Sequence, residues 1–392
     1  MAFRSAPPWE HIDRNVAARY RTFAMIGRGC YGIVWEASRK VEDAIEQELD
    51  DEGMKALKKI LYAFRDAYDA QRTYREISYL KLFGDHDNIL RLHEVMLSRD
   101  KKHVYLATDL LDSDLLKALK CQSLQPVHKP LVAYQVLRGL KYIHSASVMH
   151  RDIKPSNILL RRNGDAVLAD FGWARSSPVF AGISEEERPL MTEYASTRWY
   201  RAPEMLLGGR MYSLAIDMWA FGCVVGEMHL ETPFLPGTST LDMLTRIEEL
   251  LGRPLPNDID SMDAPYASLA LEVIPAGPPQ KPVEWLLREK SPTDELVDFL
   301  KLCFQYNPAK RFLASEALTH PYLGSYHNPD SEPAYPHDKV ELSIPDEEFG
   351  TAVEYRDHVR LIAKGEDVDA DQPSEWKKWL ERAGALAHEA GF

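Results

Sequence analysis

The stretch of sequence that decides the fold class lies near the middle of the chain. It reads Val148-Met149-His150-Arg151-Asp152-Ile153-Lys154-Pro155-Ser156-Asn157-Ile158-Leu159-Leu160, and Asp170-Phe171-Gly172 follows shortly after it. Phosphoryl transfer needs a carboxylate that orients the attacking hydroxyl and accepts its proton, and it needs oxygen ligands for Mg²⁺. Asp152 suits the first role, and Asn157 with Asp170 suits the second.

Lys154, two residues after Asp152, is placed to neutralise the phosphoryl group during transfer. The alternative interpretation of this stretch is a turn rich in Asp, Asn and Pro that precedes a strand. Other motifs along the chain favour the catalytic interpretation, because each supplies another part of a phosphoryl-transfer site.

A glycine-rich segment is the first of these motifs. It reads Ile26-Gly27-Arg28-Gly29-Cys30-Tyr31-Gly32-Ile33-Val34. Glycines at this spacing allow a backbone turn to approach phosphates with its amide hydrogens facing the oxygens. Dinucleotide-binding folds share the spacing but require a helix directly afterwards. Here a strand-like Ile33-Val34-Trp35 follows, which favours a hairpin over a nucleoside triphosphate and disfavours a dehydrogenase.

A lysine and a glutamate form the second motif. In the strand-like Ala56-Leu57-Lys58-Lys59-Ile60, alternate residues share a face, so Lys58 points with Ala56 and Ile60 while Lys59 points the other way. We expect Lys58 to reach phosphate oxygens and Lys59 to be an exposed surface lysine. A buried ammonium needs a partner, and Glu76 on the following predicted helix can supply it.

The pattern of apolar residues predicts a strand-rich front and a helix-rich back. Strand-like patterns cover residues 20–34, 54–62 and 90–110, and helical patterns cover 66–83, 130–147, 214–231, 240–251 and 294–305. We therefore predict two lobes that meet near Asp109-Leu110-Leu111. The acidic insert at 42–52 is interpreted as a solvated surface excursion. From about Asn328 the chain is expected to wrap or leave the second lobe, and Ser374–Phe392 is expected to form a docked helix.

Composition limits the classes of function. Lys plus Arg number 47 and Asp plus Glu number 60, giving a formal net charge of −13, which argues against broad binding to nucleic acid or to membrane surfaces. The four cysteines are scattered, without metal-ligand spacing or the density of a disulfide framework. No apolar stretch suggests a signal peptide or a membrane span. We expect an intracellular, soluble protein in the cytoplasm, the nucleus or both.

Taken together, these motifs resemble the eukaryotic protein kinase family over residues 20–323. Ala202-Pro203-Glu204, Asp217-Met218-Trp219 and Arg311 extend the resemblance. It implies an α+β bilobal fold, with an N-lobe at 20–110, a C-lobe at 111–323, and extensions at 1–19 and 324–392. It also implies ATP and Mg²⁺ as substrate and cofactor, an ion pair between Glu204 and Arg311, and serine/threonine specificity from Lys154. The residues that it implies for binding ATP are Ile26, Gly27, Gly29, Gly32, Val34, Lys58, Asp109 and Leu111.

The segment Thr192-Glu193-Tyr194-Ala195-Ser196-Thr197-Arg198-Trp199-Tyr200-Arg201 narrows the resemblance. A Thr-Glu-Tyr lip is similar to that of the mitogen-activated protein kinases, and residues 237–287 correspond to their insert. The long lip and Phe234–Leu241 are most similar to the atypical, self-phosphorylating branch of the extracellular-signal-regulated kinases. The resemblance implies activation by phosphorylation of Thr192 and Tyr194. Arg75, Arg151 and Arg175 would gather the first phosphate, and Arg198 and Arg201 would gather the second.

The implied partners are protein substrates with Ser-Pro or Thr-Pro sites, an upstream dual-specificity kinase and phosphatases, and the protein itself is expected to be a monomer. Two departures from the family pattern stand out. Trp173 replaces the usual Leu after Asp-Phe-Gly, and the acidic docking patch at 328–333 keeps only two acids, Asp330 and Glu332. The rival hypothesis is a catalytically weak kinase-fold scaffold. It is disfavoured because Lys58, Asp152, Asn157 and Asp170 are all present.

Overall fold

The computed structural model describes residues 11–29, 32–40, 53–176, 179–180, 198–209, 211–274, 277–337, 340, 342–346 and 350–365. The chain divides into two compact units. The first comprises the described residues of Met1–Lys81, Leu92–Leu110 and Glu341–Phe392, and the second comprises those of Leu82–Arg91 and Leu111–Val340. The acidic insert at 42–52 and the predicted terminal helix at 374–392 lie outside the described residues.

An antiparallel five-stranded sheet forms the body of the first unit, in the order β1-β2-β3-β5-β4. Its strands are β1 (Tyr20–Arg28), β2 (Gly32–Arg39), β3 (Met54–Ile60), β4 (Leu92–Leu97) and β5 (Val104–Asp109). The predicted strands are therefore confirmed, with 20–34 and 90–110 each containing a turn between two strands. The described residues of the glycine-rich segment end β1 and begin β2, and these two strands pair antiparallel, as expected for a hairpin.

The N-terminal residues cover one face of this sheet and correct one prediction. Lys59 is not a surface lysine, because only 2% of its side chain is exposed. Its Nζ lies 3.3 Å from Oδ2 of Asp13, donates to the carbonyl of His11 at 2.9 Å, and lies over the ring of Tyr105. The segment that carries these partners includes the short helix α1 (Arg14–Ala17). Alternation along β3 placed Lys59 on the correct face but could not show that a distant segment covers it.

The second unit is mainly helical, as predicted. Its short strands are β6 (Ser113–Asp114), β7 (Val148–Met149), β8 (Ile158–Leu160), β9 (Ala166–Leu168), β10 (Arg175–Ser176), β11 (Val179–Phe180) and β12 (Met211–Tyr212). They form three small sheets, ordered β6-β8-β9, β7-β10 and β11-β12. The catalytic stretch thus runs from β7 to β8.

Between residues 67 and 318 the structure describes eleven α-helices. After α2 (Ala67–Phe83), which starts in the first unit, come α3 (Leu115–Lys120), α4 (His128–Ser145), α5 (Pro203–Leu206), α6 (Ala215–Leu230), α7 (Thr240–Leu251), α8 (Pro256–Ser261), α9 (Ala267–Glu272), α10 (Val283–Leu287), α11 (Asp294–Cys303) and α12 (Ala314–Leu318). The five helices predicted from periodicity are all present, with ends within two residues of those expected. No helix in the described ranges combines the length and apolar character needed to cross a membrane.

The C-terminal segment, defined here as residues 342–346 and 350–363, belongs to the first unit, so of the two expected courses the chain leaves the second unit here and does not wrap it. It ends in α13 (Ala352–Ala363), which begins with a capping box between Thr351 and Glu354. The segment packs on α2 and β4 of the first unit. Its apolar residues Leu342, Ile344 and Val359 are buried, so it is an integral part of that unit.

Candidate active site

The predicted ion pair between Lys58 and Glu76 is formed in the first unit. Nζ of Lys58 donates to Oε1 of Glu76 at 2.5 Å. The Glu76 carboxylate is nearly buried and the ammonium is partly exposed, with exposed fractions of 8% and 28%. One side of the lysine therefore faces its partner while another side remains accessible. This is the arrangement that a lysine needs if it is to contact phosphate oxygens.

Strand register brings the glycine-rich hairpin next to Lys58. Val34 on β2 lies opposite Gly27 on β1 and opposite Lys58 on β3. A Cβ at Gly32 would lie 2.3 Å from the carbonyl oxygen of Lys59, so only glycine fits there. No heavy atom lies within 4 Å of the position that a Cβ would take at Gly29, whose amide donates to the carbonyl of Gly32 at 2.9 Å.

The open side of Gly29 is thus free of described protein atoms, which fits a hairpin whose backbone admits phosphates. Ile26 and Val34 are both half-buried in the hairpin strands, and Leu111 is half-buried in the second unit. At the end of β5, the carboxylate of Asp109 accepts from Nε2 of His93 at 2.6 Å, so this side chain is already engaged.

The catalytic stretch of the second unit centres on Asp152. Its side chain is 4% exposed, and its Oδ2 accepts from Nζ of Lys154 at 2.7 Å and from Nδ2 of Asn157 at 2.9 Å. Nδ2 of Asn157 also donates to the backbone carbonyl of Asp152. These bonds fix the rotamer of the carboxylate, which is what a base that orients a hydroxyl requires. The three predicted residues are therefore brought together.

Asn157 and Asp170 have the chemistry that Mg²⁺ prefers. Because Nδ2 of Asn157 makes both bonds to Asp152, its Oδ1 points the other way, with only the Ser156 hydroxyl nearby at 3.5 Å. The amide of Ala169 donates to the backbone carbonyl of Asn157 at 2.9 Å, so the backbone next to Asp170 lies beside Asn157. An amide oxygen and a carboxylate are hard oxygen donors, so these residues fit a magnesium ion.

Asp217 fixes the backbone of the catalytic stretch through hydrogen bonds to its carboxylate. It is fully buried near the start of α6 and accepts from the amides of His150 and Arg151 at 2.7 and 2.8 Å and from Nε2 of His144 at 3.0 Å. Burial alone would raise the pKa of Asp217, but the bonds from His144 and His150 lower it below its usual value. Arg151 adopts a left-handed backbone with φ of 66°, which these two amide bonds support.

His150 is held neutral by its surroundings. It is completely buried, and burial lowers its pKa. With the proton on Nε2, it donates to the carbonyl of Ala169 at 3.1 Å, while Nδ1 accepts from the amide of Asp152 at 3.3 Å. The ring therefore links the backbone of the base to the backbone that precedes Asp170.

The ion pair between Glu204 and Arg311, implied by resemblance, is present. Nη1 and Nη2 of Arg311 donate to the two carboxylate oxygens of Glu204, each at 2.7 Å, and both side chains are almost fully buried. Arg311 also donates to the carbonyls of Gln305 and Ala215, so its charge is compensated on all sides. The pair anchors α5 to the turn that precedes α12, near the end of the second unit.

Sequence reasoning missed the partner of Tyr200. Its hydroxyl donates to Oε2 of Glu227 on α6 at 2.6 Å in a buried contact, and burial raises the pKa of Glu227. Glu227 and Asp217 are the two carboxylates in the most apolar helix of the chain. A carboxylate in such a helix must find donors, so their positions were a usable signal for contacts to polar segments.

The phosphorylation sites Thr192 and Tyr194 lie outside the described residues, but four of their predicted arginine partners are placed in the second unit. Arg175 lies opposite Met149 in the β7–β10 pair, and Nη1 of Arg151 donates to the carbonyl of Trp173 at 3.3 Å. Burial and the neighbouring charge of Arg198 lower the pKa of Arg201.

Arg75 lies in the first unit and is buried, with 4% of its side chain exposed. Its Nε donates to Oδ1 of Asp346 at 2.8 Å, and its Nη2 has no hydrogen-bond partner among the described residues. The predicted phosphate contact would thus use the second nitrogen of a guanidinium that Asp346 already holds.

The docking patch offers one exposed acid. Asp330 is exposed, but the Glu332 carboxylate is 3% exposed and accepts from the Tyr134 hydroxyl, His327 and the amide of Asn328. Glu332 therefore holds its own segment against α4, and only Asp330 is available in this patch to attract a basic peptide.

The sequence of the chain is similar to those of a known protein family. Residues 20–323 match the protein kinase domain family. The chain is 41% identical over 352 residues to extracellular signal-regulated kinase 2 of Dictyostelium discoideum, covering 89% of this chain and 91% of that protein. It is 39% identical over 367 residues to mitogen-activated protein kinase 15 of Mus musculus, covering 93% of this chain and 64% of that protein. It is also 38% identical over 333 residues to mitogen-activated protein kinase KSS1 of Saccharomyces cerevisiae, covering 83% and 88%.

The match to the protein kinase family and the fold show that this chain is a protein kinase with a β-rich N-lobe and a helical C-lobe. Within that class it belongs to the mitogen-activated protein kinases, is similar to their atypical extracellular-signal-regulated branch, and is a serine/threonine protein kinase. The family uses ATP with Mg²⁺ and acts on protein substrates.

Proposed function

We propose that this kinase transfers the γ-phosphate of Mg-ATP to Ser or Thr residues that precede Pro. The observation that carries the proposal is the carboxylate of Asp152, held by Lys154 and Asn157 in one rotamer. Asp152 orients the substrate hydroxyl and accepts its proton, and Lys154 neutralises charge on the phosphoryl group. Lys58, held by Glu76, contacts the phosphates of ATP.

Asn157 and Asp170 are proposed to hold the metal ion through Oδ1 and the carboxylate. When bound there, Mg²⁺ supplies positive charge beside the phosphates. The glycine-rich hairpin supplies backbone amides, with Gly29 open to the ligand. Asp109 and Leu111, at the end of β5 and in the short connection that follows it, are proposed to border the adenine.

We also propose that phosphorylation of Thr192 and Tyr194 activates the enzyme and that the enzyme performs both reactions itself. A phosphothreonine adds about −1.5 to −2 charges, which guanidinium groups bind through charge-assisted bonds. The unused Nη2 of Arg75 and the placement of Arg151 and Arg175 support the first phosphate contact. For the second phosphate, the proposal rests on the sequence resemblance, which assigns it to Arg198 and Arg201. We propose further that the kinase acts as a monomer in the cytoplasm, the nucleus or both.

Peptide arrays test substrate choice. Purified kinase, Mg-ATP and paired peptides that differ only in Pro or Ala after the target Ser should give strong labelling of the Pro member alone. Equal labelling of both members would remove the proline requirement while leaving the kinase assignment intact.

Mass spectrometry tests self-activation. Protein made in bacteria without another eukaryotic kinase should carry phosphate on Thr192 and Tyr194, and an Asp152→Asn variant made the same way should carry none. An unmodified lip after incubation of the wild-type protein with Mg-ATP would contradict self-activation and would favour an upstream dual-specificity kinase.

A further inference from the structure

One face of α2 is occupied by the C-terminal segment. Gln71, Tyr74, Arg75 and Tyr79 lie along this face, at spacings of three and four residues that place them side by side on a helix. Each of them makes a hydrogen bond to the segment, across a separation of 267 to 284 positions. Glu76, which pairs with Lys58, is the residue directly after Arg75.

Asp346 makes the strongest of these contacts. Its Oδ1 accepts from Nε of Arg75 at 2.8 Å, and its Oδ2 accepts from the hydroxyl of Tyr79 at 2.6 Å. The Asp346 side chain is 4% exposed, as is that of Arg75. One carboxylate thus binds two side chains that are a single helical turn apart, and a contact of this kind fixes both the rotation and the axial position of the helix.

Two further contacts hold the same face. The Tyr355 hydroxyl on α13 accepts from Nε2 of Gln71 at 2.9 Å, and the Tyr74 hydroxyl accepts from the amide of Ile344 at 3.0 Å. The rings of Tyr74 and Tyr355 pack with their centroids 5.5 Å apart. The segment is therefore attached to α2 over about two turns of the helix in total, from Gln71 to Tyr79, and Glu76 lies between these two residues.

We propose that Asp346 is a positioning residue for catalysis, which acts by holding α2 so that Glu76 meets Lys58. This inference rests on the roles proposed above for Lys58 and Glu76. The ammonium of Lys58 reaches phosphate only in the place where Glu76 holds it, and a misplacement of about 1 Å in a catalytic group can cost about 100-fold in rate. Loss of the Asp346 charge removes the counter-ion that holds the buried Arg75 guanidinium in this structure, so α2 shifts or rotates to relieve it. A segment that only covered apolar surface would affect stability and leave the kinetics unchanged.

A double-mutant cycle tests the proposal on the full chain. The variants are Asp346→Ala, Glu76→Gln, the pair together, and Asp357→Ala as the matched control. Asp357 lies on the same segment but is exposed, with its carboxylate 3.6 Å from Arg356 only. For each variant, kcat and KM are measured for ATP and for a peptide, at a temperature where circular dichroism shows the protein folded.

We expect Asp346→Ala to lower kcat/KM for ATP about tenfold, with KM for the peptide changed less than about twofold. Glu76→Gln should lower kcat/KM for ATP about 100-fold. The double variant should be no worse than Glu76→Gln alone, because Asp346 acts through Glu76. Asp357→Ala should match the wild-type protein. If Asp346→Ala does not fold, Asp346→Asn, which keeps the shape and removes the charge, takes its place in the cycle.

Multiplicative effects in the double variant would overturn the proposal, as would a lower melting temperature with unchanged kcat/KM for ATP. The cycle also separates the two levels of the argument. If Glu76→Gln alone leaves kcat/KM unchanged, the proposed roles of Lys58 and Glu76 fail and the inference fails with them. If Glu76→Gln acts and the Asp346 variants do not, the inference alone fails.

Discussion

The catalytic stretch of the second unit and the α2 helix of the first unit are held in different ways. Asp152, His150 and Arg151 are fixed by residues of their own loop and by Asp217 and His144, all within the second unit. Glu76 sits on a helix whose outward face is bound by residues about 270 positions later in the chain. The base is therefore preformed by its own unit, while the helix that carries Glu76 is bonded to the C-terminal segment.

The difference follows from where the polar partners come from. Asp217 is buried on α6 and receives three donors, so its loop gains both charge compensation and a fixed backbone. On α2, the counter-charge for Arg75 comes from Asp346, which lies in the C-terminal segment, the last part of the chain in the first unit. Loss of Asp346 should therefore affect the position of Glu76 and leave the geometry around Asp152 unchanged.

The largest effect is expected at the base itself. Asp152→Asn should lower single-turnover phosphorylation of a peptide by about 10²- to 10⁴-fold, because the hydroxyl loses the group that accepts its proton. Nucleotide affinity, measured by calorimetry, should change little. The control is Asp85→Asn, an acid of the same unit that is 89% exposed. A near wild-type single-turnover rate in Asp152→Asn would show that another group is the base.

The next effect concerns stability of the second unit. Glu204→Gln should lower the free energy of unfolding by about 3–5 kcal/mol, because it leaves the buried Arg311 charge without its partner. Denaturant unfolding followed by tryptophan fluorescence measures it, since Arg311 lies over Trp219. Glu289→Gln is the control, since Glu289 is 81% exposed in its pair with Arg288. A similar loss in both variants would contradict the role given to the buried pair.

Acid should destabilise the second unit through two histidines, of which His86 is buried and His229 is half-buried. Burial lowers the pKa of His86 and of His229 from 6.5 to about 4, so the unfolded chain binds protons that the folded chain does not. Stability is therefore lost as pH falls from 6.5 towards 4, by about 3 kcal/mol for each histidine.

The slope of unfolding free energy against pH measures this effect. His86→Gln should flatten the slope between pH 6.5 and 4, and His337→Gln, at an exposed position, should leave it unchanged. An unchanged slope in His86→Gln would contradict this, because it would mean that the pKa of His86 is the same in the folded and the unfolded chain.

The smallest effect is expected at the contact of α13 with α2. Tyr355→Phe removes the acceptor for Gln71 and for the amide of Gly350 and should cost about 1–3 kcal/mol of stability. Thermal unfolding of the variant and of Tyr266→Phe, at a half-exposed tyrosine, gives the comparison. Equal melting temperatures for the two variants would show that the buried hydroxyl contributes nothing.

Much of the fold and of the site follows from local sequence. Periodicity predicted the strands and the five long helices, and motif spacing predicted Lys58 with Glu76 and Asp152 with Asn157, because these residues lie in or beside elements with strong local patterns. Lys59 was assigned to the surface because its cover, Asp13 and His11, comes from a segment with no periodic signal. The place of the C-terminal segment on α2 was also not predictable, since burial between distant segments leaves no local pattern.

Hydrogen exchange of the full chain tests the contrast between the two regions most directly. Amide exchange is followed by mass spectrometry in the wild-type protein and in Asp346→Ala, for peptides from α2 and for peptides spanning 148–158. The account predicts faster exchange in α2 of the variant, because its anchor is removed, and unchanged exchange in the catalytic stretch. Unchanged exchange in α2, or equal acceleration in both regions, would contradict it.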